Sequence, residues 1–207
     1  MLRLTRPALA GIAAAFALAD CRGKTEQTAG GTVDTAMGTV GRAVDTAMSK
    51  LPGTTTWSNP VIIGYATTAN SDEVTIGRLG VKKAKNGDVK AFARMMVTDH
   101  QKMLADTKKL ATKLSVSADT TEGAVRDLAT GDSDALKELT EKPAGADWDK
   151  NSMDKMVAGH ETVLEKLRDA AKTTDVEVKT ALDGAISKVE AHLNKAKEVR
   201  TKLDTAT

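Results

Sequence analysis

Cysteine occurs once in the 207 residues, at Cys21, which rules out an internal disulfide and a cysteine-rich metal site. Aromatic residues make up only 2% of the chain. Sheet sandwiches place aromatic and β-branched residues at alternating positions, so this scarcity argues against them. Neither sign of charge dominates: 30 basic and 28 acidic residues, mostly interspersed, leave a formal charge of +2. Such a balance offers no electrostatic grip on nucleic acid, and no nucleic-acid partner is expected. The apolar run Ala8–Ala19 is shorter than the roughly 20 residues a spanning helix needs. What is abundant is Ala, Thr, Lys and Asp, a mixture that favours helices with small-residue cores.

The first 21 residues read as an export signal, with Arg3 and Arg6 ahead of the apolar run and small residues at its end. Leu18-Ala19-Asp20-Cys21 resembles a bacterial lipobox, which would lipidate Cys21 and anchor the mature protein to a membrane. Ala17-Leu18-Ala19 offers the other processing site, with cleavage before Asp20. Either way the mature protein is expected in the periplasm or at the outer membrane. Residues 22–58 read as a tether. Within it Val33-Asp-Thr-Ala-Met37 returns as Val44-Asp-Thr-Ala-Met48, a spacing that gathers valines and alanines on one weak helical face.

The folded domain is expected over 59–207. Helix A opens at the cap Asn59 with Pro60 in its first turn and runs to about Lys85. Asp88 is expected to cap helix B, whose seam is Val89, Ala93, Met96, His100, Met103, Thr107, Leu110 and Leu114. Residues 115–146 read as a crossover with short helical pieces around Ala124–Ala129 and Ala135–Glu141. Helix C spans about 147–172 and helix D ends near Leu203. Short links make two antiparallel hairpins, A–B and C–D, and the long crossover joins them. The expected fold is therefore all-α, a ferritin-like four-helix bundle.

All three histidines of the chain, His100, His160 and His192, lie on these apolar seams. A buried imidazole needs hydrogen-bond partners or a metal. Counted from the turn at Gly87, Glu73 and His100 stand at nearly the same height, and His160 and His192 differ by about one helical turn. Glu73, His100, His160 and His192 are thus the candidate metal ligands, a set suited to one zinc, copper, manganese or iron ion. The residues three before the histidines are Val97, Val157 and Val189, so the Glu-x-x-His pattern of di-iron bundles is absent. Two other readings stand beside the metal: a buried His–Glu hydrogen-bond layer that sets helix register, and a glutamate that caps a helix restarting at Asn70. Asp99 points about 100° away from His100 and is expected to fix a neighbour. Met95, Met96, Met103, Met153 and Met156 read as core filler rather than as copper ligands.

Glu73-Val-Thr-Ile-Gly-Arg-Leu, Val89-Lys-Ala-Phe-Ala-Arg-Met-Met-Val-Thr-Asp-His100, Met156-Val-Ala-Gly-His160 and Ala191-His192-Leu193 together resemble the bacterial family called domain of unknown function 4142. The resemblance implies a ferritin-like, exported protein in which Glu73 and the three histidines belong together. It implies no reaction. With no proton donor or second metal evident beside the set, a binding or structural module of the cell envelope ranks ahead of a metal-dependent redox enzyme. A partner-binding protein acting through its tether is the third reading.

Overall fold

The computed structural model of the protein describes residues 55–172 and 174–205. The export signal, Cys21 and the repeat of the tether lie outside the described residues. Five helices pack together, and no strand occurs among the described residues: α1 (Asn59–Lys83), α2 (Gly87–Leu114), α3 (Gly123–Glu141), α4 (Ala146–Ala170) and α5 (Val176–Thr205). None of them is long and apolar enough to cross a membrane.

The β-branched start of α1 has poor intrinsic helix propensity, yet it is helical because it is buried. Val61, Ile62 and Ile63 are each at most 4% exposed, and packing of this kind outweighs propensity. Ser58 rather than Asn59 is the cap residue, and the Asn59 side chain instead donates to Asp175 across the C–D turn. Trp57, just ahead of the helix, is already in the core and donates its indole N–H to Asp169 at 2.9 Å.

Glycines bring α1 against its neighbours. A Cβ on Gly80 would lie 2.8 Å from that of Ala93, and one on Gly77 would lie 2.9 Å from Val97, so α1 and α2 approach closely. α2 is capped by Asn86, whose side-chain amide oxygen accepts from the N–H groups of Asp88 and Val89; Asp88 does not serve as the cap. The buried carboxylate of Asp149 on α4 accepts the N–H groups of Lys85 and Asn86, pinning the α1–α2 turn to the second hairpin. α4 and α5 run antiparallel, as the ion pairs Arg168–Glu190 near one end and Lys150–Asp204 near the other require.

The crossover differs from expectation. In place of two short pieces it forms one continuous helix, α3, so five packed helices rather than four stand among the described residues. The helix runs through Gly131-Asp-Ser, between the two expected pieces, with Val125 and Leu139 each 1% exposed on its core side. The last carbonyls of α3 are satisfied by the Lys83 ammonium, which reaches Leu139, Thr140 and Lys142, and Leu139 also accepts from the Trp148 indole.

Two apolar clusters form the core. One gathers around Trp57, Tyr65, Leu164 and Leu182, the other around Phe92, Met96, Trp148 and Met153. Met96, Met153 and Met156 thus act as core filler, as expected. On α2 and α4 the boundary between the clusters falls at His100 and His160, and on α5 it falls just beyond His192, between Leu193 and Ala196.

Candidate metal centre

The three histidines are 4%, 2% and 1% exposed in chain order, and their ring centroids are 5.0 to 6.0 Å apart. One nitrogen from each ring lies within 4.8 Å of those of the other two. Each ring has one nitrogen with a partner and one without.

The partners dictate the tautomers. The Met156 carbonyl can only accept, so His160 donates to it from Nδ1, at 2.8 Å. Asn70 spends its NH2 group on the Ala66 carbonyl, which turns its oxygen toward His100; His100 donates to it from Nδ1, at 2.8 Å. Asp99 accepts from Nε2 of His192 at 2.9 Å. The remaining nitrogens, Nε2 of His100, Nε2 of His160 and Nδ1 of His192, are therefore lone pairs, and all three are buried without a partner. Protonation does not relieve them. Burial, with the other rings adding, holds His100 down to about 3, and burial holds His160 down to about 4. His192 is also lowered by burial, against the pull of Asp99.

Three neutral imidazoles with unmatched acceptors suit a cation. A tetrahedral ion with metal–nitrogen bonds near 2.0 Å sets its ligands about 3.3 Å apart, against the separations of at most 4.8 Å found among the rings. The ring orientations are already held from outside by Asn70, the Met156 backbone and Asp99, as in metal sites whose histidines donate their second nitrogen to an oxygen.

Glu73, the fourth expected ligand, stands beside this cluster. Its Oε1 is 3.6 Å from Nδ1 of His160, the outward edge of that ring, and its Oε2 is buried without a partner. Burial, with the charge of Asp72 adding, raises its carboxyl to about 8, so it is protonated at neutral pH. Asp132 on α3 is raised to about 7 by burial and by Glu73 and Asp72. Glu73 does not face His100, as the count from Gly87 suggested. The link is centred on Lys85, which puts Asn70 equally far from it on the other side, and Asn70 takes His100. Nor does a helix restart there, because α1 is continuous through Asn70. Asn70 is the site residue that sequence reasoning passed over; an amide on an otherwise apolar face, one turn before Glu73, was its signal. Asp99 fixes a neighbour as expected, and the neighbour is His192.

The profile of the family described as domain of unknown function (DUF4142) matches residues 44–199. The chain belongs to this family. No curated protein and no solved structure matches it. The DUF4142 match spans all three histidines and their outer partners, so the centre belongs to the shared domain rather than to an extension of it.

Proposed function

We propose that this DUF4142 protein is an exported cell-envelope protein that holds one transition-metal ion on His100, His160 and His192. The observation that carries the reading is the trio of buried, neutral lone pairs without donors. An unsatisfied buried acceptor costs about 1–3 kcal/mol, and three of them in one cluster of rings are hard to retain without a cation. A purely structural polar layer would pair its histidines with donors on every side. All-imidazole donors suit zinc, copper, manganese or iron and disfavour calcium and magnesium, which take oxygen ligands.

Three protein ligands leave a position for water or substrate, the pattern of catalytic rather than closed structural sites. This favours metal-dependent chemistry over an inert layer. When bound, the ion would supply Lewis acidity or, for copper, manganese or iron, electron transfer. The chain's own part is to fix the ring tautomers through Asn70, Met156 and Asp99 and to keep a carboxylic acid, Glu73, against His160. Sequence reasoning saw no proton donor near the histidines, and Glu73 is one. Two antiparallel hairpins joined by a long crossover support a ferritin-like description, with α3 packed on the bundle. Export and a membrane anchor at Cys21 rest on the signal-like start of the chain.

The test is metal titration of protein purified without a histidine tag and stripped with chelator. One cobalt or zinc ion per chain is expected, lost in each of His100→Ala, His160→Ala and His192→Ala. No stoichiometric metal, with melting unchanged by zinc, copper, manganese or iron, would sink the reading.

A further inference from the structure

The seam of α2 is not used evenly. Val89, Ala93 and Met96 are buried, but beyond His100 the same seam is only half-buried at Met103, Thr107 and Leu110. These three residues line a cavity of about 550 Å³ between α1, α2 and α5, with Ile62, Ile63 and Ala66 opposite. That volume is typical of small-molecule sites, commonly 300–1,000 Å³. Its lining includes Asn70 and Asp99, the outer partners of His100 and His192.

The polar residues of the wall are already engaged. Lys102 pairs with Asp106 at 2.6 Å and Lys188 with Asp99 at 3.4 Å, so the charges of the rim cancel. Thr107 and Thr180 donate to backbone carbonyls of their own helices, and both ends of the Asn70 amide are used. A charged ligand would find no complementary field, and most of the wall, from Ile62, Ile63 and Ala66 to Met103, Leu110 and Leu182, is apolar.

We propose that this cavity is a binding site for a neutral, predominantly apolar small molecule that enters along the half-buried seam of α2 and abuts Asn70 and Asp99. Binding itself follows from the cavity alone; that the ligand lies next to a metal centre rests on the function proposed above.

The uncharged fluorescent probe N-phenyl-1-naphthylamine tests it on the full chain, with 1-dodecanol as competitor. The probe should bind saturably at one site and be displaced by the alcohol. Gly184→Leu and Ala66→Leu place bulk in the cavity wall and should weaken binding tenfold or more. Gly184 tolerates the change: an added Cβ meets nothing within 4 Å, and leucine favours the helix. His160→Ala, which removes the proposed metal, should still bind the probe, so the two proposals fail separately. Absence of saturable binding, or equal binding by both filled variants when circular dichroism shows them folded, overturns the site. So does sedimentation showing a dimer that Gly184→Leu abolishes, which would assign the face to a second copy of the chain.

Discussion

Replacing Glu73 with glutamine should stabilise the metal-free protein at neutral pH and leave it unchanged in acid. The folded carboxyl titrates at about 8, raised from an ordinary value of 4.5 mainly by burial. Between those two values the folded chain holds a proton that the unfolded chain releases. Stability is therefore full below about pH 4.5, falls as the pH rises through the window, and levels off above about 8. At pH 7.5 the penalty spans about three pH units at 1.36 kcal/mol each, on the order of 4 kcal/mol. Glutamine has the same shape and no proton to retain. For a domain of this size about 4 kcal/mol corresponds to a melting point higher by on the order of 10 °C. Asp132 drifts with the same sign but is present in both proteins, so it largely cancels in the difference. Thermal melts of chelator-treated wild type and Glu73→Gln, followed by circular dichroism between about pH 4 and pH 8, make the comparison. If no gap opens with rising pH, the buried, protonated carboxyl is refuted.

The outer shell can be tested as well. Asp99→Asn removes the charged acceptor behind His192 and should weaken metal binding about 10- to 100-fold, measured by competition with a chromophoric chelator. Unchanged affinity would remove Asp99 from the site. Two glycines give opposite expectations in melting experiments. On Gly64 an added Cβ would fall 1.9 Å from the Asp119 carbonyl, a backbone atom that cannot rotate aside, so Gly64→Ala should cost about 1–3 kcal/mol. Gly159 has open space around it, and Gly159→Ala should gain up to about 1 kcal/mol from helix propensity. For the anchor, Cys21→Ser should release the protein from the membrane fraction and alter its mature mass. Fractionation and mass unaffected by the change would rule out lipidation.

Much of the helical order was legible because apolar spacing and punctuation agreed. Pro60 in a first turn, Asn86-Gly87 and the short C–D link all mark real ends. The fifth helix was not legible, since Gly131 and its polar neighbours hid a stripe whose stability comes from packing against the bundle. The histidines stood out as polar residues on apolar seams, and their convergence follows from helix register. Their outer partners were harder to foresee. Whether Asn70 or Glu73 met His100 depended on a shift of a few residues in the centre of one turn. The protonation of Glu73 arises from burial that the sequence pattern does not measure.

The three rings belong to both halves of the fold, His100 to the first hairpin and His160 and His192 to the second. An ion held among them would cross-link the chain over a loop of about 60 residues, in a protein whose lone cysteine permits no such tie within it. By the loop-closure relation for disulfides, a bridge of that length removes roughly 4 kcal/mol of unfolded-chain entropy. Loading would then join the two halves into one kinetic unit, and hydrogen exchange should slow together on both hairpins rather than only near the histidines.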